Sequence, residues 1–176
     1  MTCRFIYTRT CSSLGWIGPA ANQAIPSLLA GLTNSIYFAR WQIIKALLQI
    51  HAETNPQAVT AFVQNNTDPD LVVPALVKSL GDPSANVRRT ALNGIAGYRF
   101  LAKPAIPAVA SCLNDVFFSD IREQAADILG RFGSDAKAAS PALVPLLYST
   151  SDGVRLHAEE ALKLIDPEAA AKAGVK

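Results

Sequence analysis

A proline followed by branched apolar residues recurs four times along this chain, and this repetition constrains the fold more than any other feature. In each copy a Leu or Val stands two residues after the proline and a Leu stands six residues after it. The four copies are Pro26–Leu28–Leu32, Pro74–Leu76–Leu80, Pro107–Val109–Leu113 and Pro141–Leu143–Leu147. Self-similarity at a fixed period indicates a protein built by stacking one structural unit.

A second, independent landmark follows each copy, because an arginine stands directly after a small or branched apolar residue. These arginines are Arg40, Arg88, Arg122 and Arg155. The spacing from Pro74 to Pro107 is 33 residues, and the spacing from Pro107 to Pro141 is 34 residues. Two landmarks that keep the same register make chance resemblance a poor explanation for the repeats.

Each unit has the pattern of two helices joined by a turn. The proline suits the first turn of the first helix, where its missing N–H would have no partner. In the second helix, counted from the arginine, apolar residues at positions −1, +3, +6, +7 and +10 form one stripe. A single short pair cannot offset a backbone entropy cost of about 1–2 kcal/mol per ordered residue, so the pairs must share a core. The sequence therefore predicts an all-α fold, an α-solenoid of stacked antiparallel helix pairs with about four repeats.

The composition and the motifs of the chain argue against an enzymatic function. Half of the residues are hydrophobic, which is enough to form a buried core. The net charge is only +2, so strong electrostatic attraction to nucleic acid is not expected. The three cysteines form no C-x-x-C pair, and the two histidines lie in different units. Neither a G-x-S-x-G motif nor a membrane-length apolar segment is present. We therefore predict no catalytic, metal or cofactor site, no membrane partner and a cytoplasmic location.

The predicted organisation is one repeat domain over residues 1–176 with irregular parts. It comprises a partial repeat at 1–23, repeats at 24–51, 71–103, 104–137 and 138–166, an extra helix and turn at 52–70, and a C-terminal cap at 167–176. The partial repeat lacks its first helix, which leaves an apolar flank that truncation, a capping partner or self-association would explain. An inserted helix at 56–64 either covers Trp41 and Leu48 with Val59 and Phe62 or leaves them exposed to a partner; we favour the covered arrangement.

The assembled motifs resemble the HEAT-repeat family, in particular its short-repeat branch that includes the phycobilisome-lyase-like repeats. The resemblance rests on P-A-L-V-x-x-L from Pro74, G-D-P-x-x-x-V-R ending at Arg88, and V-R-x-x-A-x-x-A-L from Val154, and it covers roughly residues 14–165. It implies a curved stack whose second helices line the concave side.

The same resemblance implies a ladder of arginine–aspartate contacts between neighbouring repeats. Asp115 and Asp120 are alternatives for one rung, and the first unit has no Asp in the turn before Arg40. The residues assigned to this structural ladder are Arg40, Arg88, Arg122, Arg155, Asp82 and Asp152.

The solvent-facing positions of the second helices are the predicted binding surface. Their charge changes from basic to acidic along the chain, which suits a protein partner better than a polyanion. We therefore expect a non-catalytic protein–protein interaction scaffold that uses the second-helix face. A nucleic-acid-binding or DNA-repair-type protein, and a tetrapyrrole lyase or chaperone-like protein, are alternatives by family analogy. The predicted partner-binding face consists of Trp41, Gln42, Lys45, Arg89, Asn93, Glu123, Asp127, His157 and Glu160.

Overall fold

The regular structure of this chain is helical throughout the residues that its computed structural model describes, namely 10–11, 13–14, 17, 21, 23–33, 36–51 and 69–175. The chain divides into two compact units, Met1–Tyr98 and Arg99–Lys176. The first unit contains helices α1 (Ile25–Gly31), α2 (Tyr37–His51), α3 (Pro69–Ser79) and α4 (Ala85–Tyr98). The second contains α5 (Ile106–Cys112), α6 (Ser119–Phe132), α7 (Ser140–Leu143), α8 (Asp152–Ile165) and α9 (Pro167–Lys172).

Short 3₁₀ helices connect and extend the elements of the second unit. They are Arg99–Ala105, Gly133–Ala139 and Val144–Tyr148. In the first unit α1 pairs with α2, α3 pairs with α4, and the second helices α2 and α4 also pack together. In the second unit α5 pairs with α6, α7 and the 3₁₀ helix after it pack on α8, and α6 packs on α8. These stacked pairs confirm the predicted all-α, α-solenoid fold class.

The two predicted apolar patterns form the core. The residue two positions after each proline is buried in all four repeats, with at most 7% of its surface exposed. These residues are Leu28, Leu76, Val109 and Leu143. The residue before each repeat arginine is buried as well, at 1% exposure or less. These are Ala39, Val87, Ile121 and Val154.

The repeat prolines begin three of the four first helices, and Pro74 is the exception. Pro26, Pro107 and Pro141 are each the second residue of their helix, whereas Pro74 lies inside α3. That helix begins earlier because Pro69 favours a first turn and the carboxylate of residue 70 complements the positive helix N-terminus. The last two residues of the predicted 52–70 turn are therefore helical.

Most of the predicted partial repeat at 1–23 and the predicted helix at 56–64 lie outside the described residues. Whether Val59 and Phe62 cover Trp41 therefore stays a prediction. Among the N-terminal residues that are described, Cys11 is 3% exposed and belongs to one apolar cluster with residues of α1 and α2. Burial raises the pKa of the Cys11 thiol.

The sequence predicts no membrane partner, and the length and hydropathy of the helices bear on this prediction. Within the part of the chain that the structure describes, no helix is both long enough and apolar enough to cross a bilayer.

Candidate functional site

One arginine–aspartate rung joins the two repeats of the first unit. The Arg40 guanidinium donates from Nε to Asp82 Oδ2 at 2.5 Å and from Nη2 to Asp82 Oδ1 at 2.9 Å. The two side chains are only 14% and 8% exposed. The rung runs from α2 to the turn that follows α3, so the aspartate comes from the next repeat. The missing Asp in the turn before Arg40 is therefore no obstacle to the contact.

The Asp82 carboxylate also organises its own turn, because Oδ1 accepts the Ser84 N–H at 2.8 Å. Burial alone would raise the pKa of Asp82, but hydrogen bonds from Arg40 and the Ser84 N–H, with the charges of Arg40 and Arg88, lower it overall. The pKa of Arg40 is raised because the hydrogen bond to Asp82 outweighs the effect of burial. Both groups of the rung therefore stay charged at neutral pH.

Two later arginines of the predicted ladder, Arg88 and Arg155, bind within their own repeats. Arg88 Nη1 donates to the Asp82 carbonyl oxygen at 2.8 Å, and Arg155 Nη1 donates to the Ser149 carbonyl oxygen at 2.6 Å. Both acceptors lie six residues before their arginine, so the two repeats use the same local contact. Arg155 also pairs with Asp152 in the same turn.

Arg122 has no carboxylate at the position where Asp82 pairs with Arg40 in the first rung. In the first rung the aspartate stands two residues after Leu80, and the equivalent residue after Leu147 is Ser149. The serine hydroxyl is too short to take the place of the carboxylate, and Arg122 Nε is buried without a hydrogen-bond partner. Asp115 occupies the same position in the third repeat, two residues after Leu113, so it rather than Asp120 corresponds to Asp82.

Glu123, predicted to face a partner, instead holds two repeats of the second unit together. Its Oε1 accepts a hydrogen bond from Ser151 Oγ at 3.1 Å, at the N-terminus of α8. A Cβ on Gly153 would lie 2.6 Å from the Glu123 carboxylate, so a larger residue there would displace the end of the Glu123 side chain. An anion at this place also complements the partial positive charge of the α8 N-terminus.

The face of α2 carries an aromatic–cation cluster. Trp41 packs edge to face on Phe38 with ring centroids 5.5 Å apart, and Lys45 Nζ lies 5.1 Å from the Trp41 ring centroid. Trp41 and Lys45 are both half-buried. Gln42, another residue of the predicted face, is only 7% exposed. Its position, +2, lies only about 40° from the buried position +6 on the helical wheel, so it turns toward the core.

Leu48 on the same helix is partly covered by α4. A Cβ on Gly94 would lie 2.9 Å from Leu48 Cδ2 and 2.9 Å from a Leu76 methyl group. The absent side chain of Gly94 thus makes room for Leu48, which explains how an apolar residue sits at an outward helical position. A glycine at +6, where the other repeats carry Ala or Ile, was the available sequence signal.

The remaining predicted residues of the face lie at the surface with local partners. On α4, Arg89 Nη1 donates to Asn86 Oδ1 at 2.9 Å, and Asn93 is exposed. On α6, Asp127 pairs with Arg131 at 2.8 Å. On α8, His157 Nδ1 lies 2.8 Å from the Gly153 carbonyl oxygen.

Helix α8 presents an apolar stripe that the sequence identified only in part. Leu156 and Leu164 are 53% and 63% exposed, and the exposed Glu160 lies between them at four-residue spacing. Residues four apart share one face of a helix, so the three side chains form a continuous strip. Leu164 was missed because it stands at position +9 from Arg155, whereas the residues of the predicted face stand at positions +1, +2 and +5.

The residues that the structure describes were also compared with the side-chain clusters that bind metal ions. No group of three His, Cys, Asp or Glu side chains among them could hold a metal ion.

The stacked helix pairs and the rung at Arg40 define a helical-repeat protein. The family model for HEAT repeats matches residues 73–163, just over half of the chain, and the chain belongs to the HEAT-repeat family. An engineered protein solved by the Northeast Structural Genomics Consortium has a similar structure, with a TM-score of 0.65 and 23% sequence identity over 95% of this chain and 78% of that chain. At this identity the likeness shows the fold alone. No curated protein sequence matches the chain.

Proposed function

We propose that this chain is a non-catalytic scaffold that binds a protein partner along the outward faces of its second helices. The stripe Leu156–Glu160–Leu164 on α8 is the observation that carries the proposal. Two exposed leucines at helical spacing suit the apolar face of a partner helix, and the carboxylate between them suits a basic residue of that partner. Protein interaction is also the common use of HEAT repeats.

The charge on each face supports a protein rather than a polyanion as the partner. The face of the first unit offers Lys45 and Arg89, whereas the face of the second unit offers Asp127 and Glu160. A nucleic-acid backbone needs a continuous run of cations, which the acidic face of the second unit does not provide. A partner with segments of both signs fits these faces better.

The finer predictions belong to this proposal and depend on the sequence alone. They are a cytoplasmic location and membership of the phycobilisome-lyase-like branch. Self-association through an uncovered N-terminal flank concerns residues outside the described part of the chain.

The test compares a variant of the α8 stripe with a matched surface variant. Leu156→Asp combined with Glu160→Lys changes the stripe, and Glu168→Lys makes the same charge reversal at an exposed position of α9. Affinity capture from native cells with quantitative mass spectrometry should show partners that bind wild type and Glu168→Lys but are depleted at least about tenfold on the stripe variant. The same proteins recovered equally by all three baits would contradict the proposed face.

A further inference from the structure

The turn between α5 and α6 exposes three consecutive large apolar side chains. Val116 is 82% exposed, Phe117 is 85% exposed and Phe118 is 40% exposed. We refer to Val116–Phe118 as the apolar turn. Single exposed apolar residues are ordinary on a protein surface, but a contiguous group at the tip of a turn marks an interaction site.

The equivalent turns of neighbouring repeats show that the fold does not require these side chains. Each turn begins with a side-chain oxygen that accepts the N–H two residues ahead. The distances are 2.8 Å from Ser84 N to Asp82, 3.1 Å from Phe117 N to Asp115 and 3.3 Å from Ser151 N to Ser149. After this residue the flanking turns continue as Pro83-Ser84 and Thr150-Ser151, which are small or polar.

The third turn is also longer than the others by one residue. Nine positions separate Leu113 from Arg122, against eight from Leu80 to Arg88 and from Leu147 to Arg155. The apolar turn therefore combines an additional residue with a change from polar to apolar character, and neither feature contributes a buried side chain. Both features are unexplained by the packing of the repeat.

The apolar turn is held in one conformation. Asp115 Oδ1 accepts hydrogen bonds from the N–H groups of both Phe117 and Phe118, at 3.1 and 3.0 Å. The flanking helices α5 and α6 pack against each other. Because the backbone is already ordered, binding through these side chains would cost little conformational entropy.

The charges beside the apolar turn specify the chemistry of its partner. Glu123 lies against Ser151, so the start of α6 and the turn before α8 are at the same edge of the second unit. The stretches 114–123 and 148–155 that form this edge contain four acidic residues, two arginines and no lysine. The most exposed acidic residues there are Asp120 and Asp152, and Asp152 forms an ion pair with Arg155, which also donates to the Ser149 carbonyl. The surroundings of the apolar turn are therefore acidic.

We propose that the apolar turn anchors a protein partner that offers an apolar cleft bordered by lysine or arginine. The acidic edge complements such a border, and Phe117 has the size and exposure of an anchor residue that fills a pocket. Its apolar side chains are different from those of the stripe Leu156–Glu160–Leu164.

The charge of the acidic edge opposes two other occupants. A second copy of this chain that binds through the same surface would place one acidic edge against another, so it is a poor fit. Insertion into an anionic membrane would place Asp120 and Asp152 against like charges, and such surfaces attract lysine and arginine instead.

The test uses the full chain and a synthetic probe of the stated chemistry. The probe is a helical hairpin of two leucine–lysine helices, which offers an apolar groove between lysine borders, and its control replaces every lysine with glutamate. The substituted chain carries Val116→Ser and Phe117→Ser, whose exposure keeps folding intact, as circular dichroism will verify. A second variant, Leu156→Asp with Glu160→Lys, changes the α8 stripe alone.

Binding is measured by fluorescence anisotropy at several salt concentrations. We expect the lysine hairpin to bind wild type and the stripe variant equally, and to bind the apolar-turn variant at least about tenfold more weakly. The glutamate hairpin should not bind, and Asp120→Asn with Asp152→Asn should weaken binding and its dependence on salt.

Four results would overturn the proposal. They are no binding of the lysine hairpin to wild type, equal binding to the apolar-turn variant, Phe117-dependent binding of the chain to phosphatidylcholine vesicles, and a dimer in sedimentation that disappears in the apolar-turn variant. The last two results would identify a membrane or a second copy as the occupant. Loss of hairpin binding in the stripe variant alone would instead support the second-helix face and count against the apolar turn.

Discussion

Asp82 joins two repeats and shapes a turn with one carboxylate. It accepts two hydrogen bonds from Arg40 and one from the Ser84 N–H, in a place where the paired side chains are mostly buried. A buried ion pair adds little by itself relative to apolar packing, but removal of one partner leaves the other charge uncompensated. The consequence of a substitution here should therefore be large.

We predict that Asp82→Asn lowers the free energy of unfolding by about 3 kcal/mol at pH 7, because it leaves the Arg40 guanidinium without its counter-charge. Urea unfolding followed by circular dichroism measures the change. Asp152→Asn is the matched control, since that turn aspartate has a side chain that is 91% exposed. The control should change stability by less than about 1 kcal/mol. Equal effects of the two substitutions would show that the rung has no special importance.

The same rung predicts a dependence on pH. The pKa of Asp82 is lowered from its ordinary value of 3.8 in the folded chain. Its contribution is therefore complete above that ordinary value and is lost as the pH falls through the folded pKa. The stability difference between wild type and Asp82→Asn should be constant from pH 5 to 7 and should shrink below about pH 4. A difference that grows on acidification would contradict the assignment.

Two glycines of α4 allow a matched comparison of substitutions that do and do not disturb the packing of α4 against α2. Gly94→Ala would place a methyl group 2.9 Å from Leu48 and Leu76, whereas a methyl group at Gly97 would meet nothing within 4 Å. We predict that Gly94→Ala destabilises the chain by about 1–2 kcal/mol through overpacking. Gly97→Ala should stabilise it by about 0.5–1 kcal/mol because alanine favours the helix. Thermal unfolding of both variants tests this, and a stabilising Gly94→Ala would show that the leucines move aside.

At the scale of elements, the sequence predicted the pattern within each repeat better than the contacts between repeats. The buried stripe follows from the 3.6-residue period, which is a local property of the chain. The rung between Arg40 and Asp82 spans 42 residues, and no local pattern indicates which of two neighbouring turns supplies the carboxylate. Pro74 shows a related limit, since a proline earlier in the chain, Pro69, was an equally good helix start and α3 begins there.

The rung missing at Arg122 predicts a stabilising substitution. Ser149→Asp would place a carboxylate where Asp82 stands in the first rung, and Asp could keep the hydrogen bond to the Ser151 N–H that Ser149 now accepts. We expect a gain of about 1 kcal/mol, because Arg122 Nε is now buried without a partner. The nearby Glu123 carboxylate opposes part of the gain by repulsion.

A double-substitution cycle separates the new pair from other effects of Ser149→Asp. The gain in the free energy of unfolding should disappear in an Arg122→Ala background, since the coupling energy belongs to the pair. An equal gain with and without Arg122 would attribute the effect to the turn alone.

At the scale of the whole molecule, repetition made the fold predictable and left the irregular parts uncertain. A pattern that occurs four times is tested four times within one sequence, so the buried positions could be assigned with few errors. The apolar turn was not identified because an additional residue in one repeat has no counterpart for comparison, and exposure of Phe117 is a property of the folded chain. Partner chemistry also depends on surface positions, which the repeat pattern does not constrain.

Helix α9 is the last described element and is held by few contacts. Asp166 Oδ1 accepts the Ala169 N–H at 3.1 Å, and Ala170 is 3% exposed against the rest of the second unit. A helix of six residues has no stability of its own in water, so it depends on this docking. In a stack with nearest-neighbour coupling, a short helix of this kind should detach without unfolding the others.

Ala170→Asp and Ala171→Asp test this coupling with the same chemistry at adjacent positions. Ala170 is buried and Ala171 is exposed, so only Ala170→Asp would place an unpaired charge in a buried position. Because burying that charge is costly, Ala170→Asp should favour detachment of α9. Hydrogen exchange with mass spectrometry should show loss of protection over residues 167–175 in Ala170→Asp, with protection of α6 retained and Ala171→Asp unchanged. The energetic cost should be limited to the docking of one short helix, about 2 kcal/mol. Loss of protection throughout the second unit would show that α9 is an integral part of one cooperative block.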